Sequence, residues 1–313
     1  MVARAGGPVL CVAAALLAGA GLLVRAETGP LPRRDLESIV VEGQMARART
    51  IPDADVLILG DSSALMGIDA DQLGRELGGK RVESLATIGF VGPAGFAHLL
   101  DETATAGHHF GTVVLVLHGV SLALDERVFG RLGFEAMAEG HEKRGRWPTW
   151  VRDAIYDRWV ATVLDLPLPG SFGRSYGRPA DLAAALREHH GSLVDPNTFA
   201  RSTSEPFRFQ LSPAVATRLD AFASTWARRG TGKLLLLITP IPESRVGPDT
   251  LETRATTAAE VQERLGGATQ LPLPASMPDA DFASLTHLDA EGRARYTALL
   301  ARELERVAGT RSR

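Results

Sequence analysis

Val56-Leu57-Ile58-Leu59-Gly60-Asp61-Ser62-Ser63 is the stretch that decides the fold. A short apolar run closed by glycine reads as a strand buried on both faces, the kind found in parallel sheets under helices. The residues behind it, Ala64 to Leu77, carry apolar positions at helical spacing and stop at Gly78-Gly79, a good helix terminator. The stretch is therefore a strand, a tight turn bearing an acid and two hydroxyls, and a helix.

The same unit recurs on either side. Arg81 to Leu85 is a second short strand, Gly92 to Leu100 a helix, and Val113-Val114-Leu115-Val116-Leu117 the clearest strand of all. After a long interruption the rhythm returns. Ser212 to Arg229 is a helix opened by Leu211-Ser212-Pro213, Leu234 to Thr239 a strand ended by Pro240 and Pro242, and Leu251 to Leu265 a helix stopped by Gly266-Gly267. Thr269 to Leu273 is a fifth strand, and Asp289 to Val307 a last amphipathic helix. Five short strands alternating with helices predict an α/β domain with a five-stranded parallel sheet covered on both faces.

The interruption, about 122–211, holds most of the aromatic residues and no long strand pattern. Trp147, Trp150, Tyr156 and Trp159 fall at loose helical spacing, Pro167, Pro169, Gly170 and Gly173 mark a loop, and Asp181 to Glu188 reads as a helix. This segment is expected to be a helical insertion. At the other end, residues 27–50 read as a polar linker leading into a helix. Pro8 to Val24 is an apolar run of ~17 residues behind Arg4, at the short limit for a spanning helix and long for a signal-peptide core. The expectation is a signal peptide or N-terminal membrane anchor over residues 1–26, with the α/β domain over 51–313.

Composition narrows the function. The chain has 313 residues, a net charge of −3 and 23% charged residues, so it offers no basic excess for nucleic acid. Its one cysteine, Cys11, excludes an intramolecular disulfide and a cysteine-built metal site. His108-His109 and His189-His190 are neighbours without an evident acidic cluster and read as surface histidines. No metal or other cofactor is expected.

Ligands of such sheets bind beyond the carboxyl ends of the strands, which directs attention to Gly60-Asp61-Ser62-Ser63. A serine at the start of a helix is a candidate nucleophile where backbone N–H groups can hold an oxyanion. It requires a base within hydrogen-bond reach. The other reading is that Asp61 or Ser62 caps the helix; Asp61 is expected to hold the turn. The candidate base is His287, in Thr286-His287-Leu288-Asp289, just before the last helix with Asp289 as its cap; the alternative is a surface loop histidine. His118 closes the third strand and divides evenly between a core and a site residue.

Together these segments resemble the SGNH/GDSL hydrolase superfamily over roughly residues 52–120 and 232–308. Gly60-Asp61-Ser62-Ser63 is similar to its first block, Ser84-Leu85-Ala86-Thr87-Ile88-Gly89 to its second, and His287-Leu288-Asp289-Ala290-Glu291-Gly292 to its last. The resemblance implies a flavodoxin-like three-layer sandwich, Ser62 as nucleophile, His287 as base, and an oxyanion hole from the Ser62 and Gly89 N–H groups. It departs from the family twice. The acidic partner three residues before the histidine is replaced by Ser284, leaving Asp281 or Asp279 as substitutes. The third-block asparagine is absent, because the third strand runs into His118-Gly119-Val120-Ser121 and the chain's only asparagine is Asn197.

The nearest likeness is to the anchored or periplasmic branch linked to bacterial polysaccharide O-acetylation. It implies an exported, extracytoplasmic esterase or O-acetyltransferase that acts on a glycan ester and works beside a membrane acyltransferase. Arg25, Arg33 and Arg34 behind the apolar run pull toward the opposite orientation. The alternative is a catalytically degenerate SGNH-like subunit that binds polysaccharide or a partner through the 122–211 insertion. A carboxylate on the His287 ring distinguishes the two.

Overall fold

The computed structural model describes residues 36–132, 174–177, 179–197 and 205–309. Strands β1 (Ala54–Gly60), β2 (Val82–Ser84), β3 (Phe110–Leu117), β4 (Lys233–Ile238) and β6 (Thr269–Gln270) form one sheet in the order β2-β1-β3-β4-β6. Every pairing in it is parallel. A separate pair, β5 (Ile241–Pro242) and β7 (Ser276–Met277), is also parallel.

The α-helices that accompany these strands are α1 (Leu36–Ala48), α2 (Ser62–Gly67), α3 (Ala70–Glu76), α4 (Gly92–Thr105), α5 (Gly119–Leu122), α6 (Glu126–Leu132), α7 (Pro179–Glu188), α8 (Pro213–Arg229), α9 (Thr250–Arg264) and α10 (Ala290–Gly309). Successive strand residues point to opposite faces, and both sets are buried here. Val56, Ile58, Val114, Val116, Leu235 and Leu237 join a core with Leu65, Leu73, Tyr296 and Leu300 from α2, α3 and α10. Leu57, Leu59, Val113, Leu115 and Leu236 are buried on the other set, where α8 packs against α4 and α9. The fold is thus an α/β sandwich with a five-stranded parallel sheet flanked by helices, compatible with an SGNH-type fold.

The segment expected as one helix, 64–77, divides into α2 and α3. Asp69 ends the first and caps the second, accepting a hydrogen bond from Gln72 N at 2.9 Å, while its own N–H donates to Thr297 Oγ1 at 3.0 Å. A short polar side chain that competes for local backbone groups favours such a break. Helix α1 lies within the stretch expected to lead from linker to helix, and its Ile39 and Val40 belong to the core. Of the expected insertion, α6, α7 and residues 189–197 are described, and Leu182, Leu186 and Leu193 are core residues. Residues 1–26 and Trp147, Trp150, Tyr156 and Trp159 lie outside the described residues. Among the described residues no helix is long and apolar enough to cross a membrane.

Strand order reverses between β1 and β3, so the chain leaves their adjacent carboxyl ends in opposite directions. This is the switch point at which such sheets hold ligands. Gly60 pairs with Val116 in this register. A Cβ on Gly60 would lie 2.2 Å from the Val116 carbonyl oxygen, so only glycine lets the two strands close up below Asp61.

Candidate active site

Ser62 is the first residue of α2, directly beyond β1. Asp61 caps that helix. Its Oδ1 accepts from Ser63 N at 2.9 Å and from the Ser63 hydroxyl, and its Oδ2 accepts from His118 N at 2.8 Å. One buried carboxylate thereby ties the turn after β1 to the end of β3, and Ser62 is left half-buried with its hydroxyl free for other work.

That hydroxyl lies 2.9 Å from His287 Nε2. On the other side of the ring, His287 Nδ1 lies 2.6 Å from Asp195 Oδ2. An ionised carboxylate can only accept, so Nδ1 carries the hydrogen and donates to Asp195. Nε2 is then the acceptor for the Ser62 O–H. The three residues form a serine–histidine–carboxylate relay with correct polarity at each step.

Asp195 was not among the expected partners. It belongs to the 122–211 segment, 92 residues from His287 in sequence. Asp281 is buried but turned away: its carboxylate pairs with Arg295. Asp279 Oδ1 accepts from Ser244 N at 2.9 Å. Neither is recorded on His287, and both instead brace the loop before α10. Ser284, at the family's acidic position, holds that loop too: its Oγ accepts from His287 N at 3.1 Å. The Asp289 N–H donates to the Asp281 carbonyl at 2.9 Å, and Asp289 Oδ1 caps α10 at Gly292 N, 2.7 Å away.

Residues 189–195 are pinned along the edge of the sheet. Ser84 N donates to the His190 carbonyl at 2.8 Å, extending the pairing beyond β2, and Leu193 N donates to the Leu65 carbonyl at 2.9 Å. Gln44 Nε2 donates to the Gly191 carbonyl at 3.0 Å, and Tyr176 Oη bridges the Val194 N–H and carbonyl, each at 2.7 Å. Beneath them Arg47 reaches Glu83 and the Ser84 carbonyl, each at 2.6 Å. His190 meets Glu83 at 3.0 Å and Asp71 at 3.2 Å, and His189 meets Asp71 at 3.6 Å. The histidine pair therefore does have acidic neighbours. Among the described residues, however, no cluster of three metal-ligating side chains forms.

Asp195 is 4% exposed. Burial pushes its carboxyl pKa up, and the hydrogen bonds from His287, the Asn197 N–H and the Asn197 side chain outweigh that, leaving it below the usual carboxylate value. Asn197 donates to Asp195 Oδ1 through N at 2.9 Å and Nδ2 at 2.7 Å. The chain's only asparagine thus serves the carboxylate.

Ser62, Gly89, His118, Ser121 and Thr286 share one pocket of about 180 Å³ with Phe90, Val120, Leu124 and Val128. A Cβ on Gly89 would stand 2.7 Å from Ser121 Oγ, so Ser121 occupies the space beside the Gly89 backbone. His118 is 2% exposed. Burial pushes its pKa down to about 4, with Asp61 opposing and His287 and Arg245 adding to the fall. The neutral ring accepts at Nδ1 from Val120 N, 3.1 Å away, so Nε2 carries the hydrogen. That N–H has no hydrogen-bond partner among the described residues.

Sequence reasoning reached Ser62, His287, Gly89, His118 and Ser121, and the fold brings all five to one place. It missed Asp195. Leu193-Val194 before Asp195 is too short a run to mark a strand end, so no sequence pattern singles this acid out. A scan of the chain against protein-family models finds no match, and a search among curated proteins finds none either.

Proposed function

We propose that this chain is a serine acyl-ester hydrolase or acyltransferase of SGNH type, working through Ser62, His287 and Asp195. The observation that carries the reading is the continuous hydrogen-bond relay from Asp195 through His287 to Ser62, at the switch point of the sheet. The alternative of a degenerate binding subunit drew on Ser284 at the acidic position and on the missing third-block asparagine; the Asp195 carboxylate on the His287 ring speaks against the first of these.

The reaction follows from the polarity of the relay. His287 Nε2 takes the Ser62 proton as Oγ attacks the ester carbonyl, and Asp195 stabilises the imidazolium that forms. The Ser62 and Gly89 N–H groups are the donors for the developing oxyanion. Collapse breaks the ester C–O bond, and the leaving alkoxide takes the proton from His287. Water, or a hydroxyl of an acceptor, then attacks the acyl-enzyme with His287 again as base and regenerates Ser62. Water gives hydrolysis; a glycan hydroxyl gives transfer. The residues named do this without a cofactor.

The substrate is an ester of a hydroxyl compound, and a cell-surface glycan ester is the class the resemblance implies. The same reading puts the domain outside the cytoplasm behind the apolar segment 8–24, with a membrane acyltransferase as acyl donor in the transfer reaction; protease protection in intact cells tests that placement.

The catalytic reading is tested with p-nitrophenyl esters and a glycan acceptor, comparing the full-length chain with Ser62→Ala. Release should fall to background in the variant while its circular dichroism is unchanged. Equal release from both proteins sinks the mechanism.

A further inference from the structure

The pocket at Ser62 has no charged wall. Ser62, Gly89, Ser121, Thr286 and the neutral His118 supply its polar groups, and Phe90, Val120, Leu124 and Val128 supply the rest. The apolar side chains come from the turn after β2, from α5, from the link to α6 and from α6 itself. Val120 and Leu285, the neighbour of Thr286, are two of the few large apolar side chains left exposed among the described residues. An occupant lying along the pocket would cover at least Val120.

Size and chemistry together select that occupant. At a volume share of ~30 Å³ per water-sized group, a pocket of about 180 Å³ holds roughly six such groups. A sugar ring would set hydroxyls against Phe90, Val120, Leu124 and Val128, which offer them no partner. An acetyl group would fill a fraction of the space and leave apolar side chains in water.

Resting on the Ser62 reading above, we infer that this pocket takes the acyl chain of the ester. The chain is an uncharged aliphatic of about four to six carbons, in place of the acetyl group that the resemblance implies. The alcohol lies outside the pocket. The chemistry is unchanged: the Ser62 Oγ–C bond forms, the ester C–O bond breaks, and the alcohol leaves with the proton held by His287.

The test is chain-length selectivity of the full-length protein on p-nitrophenyl acetate, hexanoate and dodecanoate, beside Ser62→Ala, Val128→Trp and Val128→Ala. A methylene moved fully from water to an apolar wall is worth up to about fourfold. In this open pocket about twofold is expected for each of the four added methylenes, hence a rise in kcat/KM of roughly fifteenfold from acetate to hexanoate, and a fall at dodecanoate. Val128→Trp should lower hexanoate turnover more than acetate turnover and reverse their order. Val128→Ala, which removes bulk without introducing any, should improve the dodecanoate-to-hexanoate ratio and serves where the tryptophan variant does not fold.

Ser62-dependent release that is fastest on acetate, or a selectivity that neither Val128 variant alters, overturns the acyl-chain assignment and leaves the catalytic reading standing. No Ser62-dependent release from any ester, together with no fluorophosphonate label on Ser62, overturns the catalytic reading and this inference with it.

Discussion

Asp195→Asn separates a working relay from a coincidental contact. The carboxylate holds the Nδ1 hydrogen of His287 at 2.6 Å and is almost wholly buried. An asparagine has the same shape, so packing is kept. Its amide can present N–H to Nδ1, however, which moves the ring hydrogen to Nε2, where it no longer accepts from Ser62. In serine relays this wrong tautomer lowers kcat by about 10⁴ with the geometry intact, or about 5 kcal/mol of transition-state stabilisation. The same loss is expected here in steady-state hydrolysis of a p-nitrophenyl ester, with KM little changed. Asp281→Asn is the matched control, because Asp281 pairs with Arg295 and makes no recorded bond to His287. It should leave kcat within a few-fold and act on stability instead. If Asp195→Asn stays within tenfold of the parent while Ser62→Ala is inactive, the relay drawn here is wrong. An Asp281→Asn loss as large as that of Asp195→Asn would return the role to the loop before α10.

Three further outcomes follow from the packing. His118 titrates at about 4 in the fold against ~6.5 in the unfolded chain, so the unfolded state binds the proton first as pH falls. The stabilisation is complete above pH 6.5 and is lost between 6.5 and 4, by about 3 kcal/mol in all; urea unfolding of His118→Gln across that range should lack this component. Gly60→Ala would drive a Cβ into the Val116 carbonyl and should cost about 3 kcal/mol or more as β1 and β3 are forced apart, read as a lowered Tm. Arg47→Ala takes the arginine partner from a buried Glu83, leaving it His190, and removes a support beneath residues 189–195. It should lower stability by about 3–5 kcal/mol, and a variant as stable as the parent would show that this ion pair contributes nothing.

Much of the site was legible because its parts are local. A strand that ends in Gly60, a turn at Asp61 and a helix that starts at Ser62 is one contiguous unit, and the His287 loop sits directly before a helix whose start is marked by Asp289. Ser284 was legible only as a departure. Its present work, holding the His287 loop through its hydroxyl, depends on a turn the sequence does not announce. The break between α2 and α3 was hidden for a related reason: the apolar spacing continues through Ile68 and Asp69, and the bond from Asp69 N to Thr297 comes from the far end of the chain.

What the sequence by itself determined is the alternation of strands and helices, the parallel sheet, and the positions of Ser62 and His287, because each depends on periodicity or on a turn a few residues long. What only the tertiary structure decided is the third member of the relay. Asp195 lies in a segment with no strand pattern, and it reaches His287 because bonds from that segment to the Ser84 and Leu65 backbone and to the Gln44 side chain fix its path along the sheet edge. Asp281 and Asp279 are nearer in sequence, but Arg295 and the Ser244 backbone hold them elsewhere. Nearness along a chain limits where a side chain can go; which carboxylate meets the ring depends on where every other hydrogen bond of its segment is made.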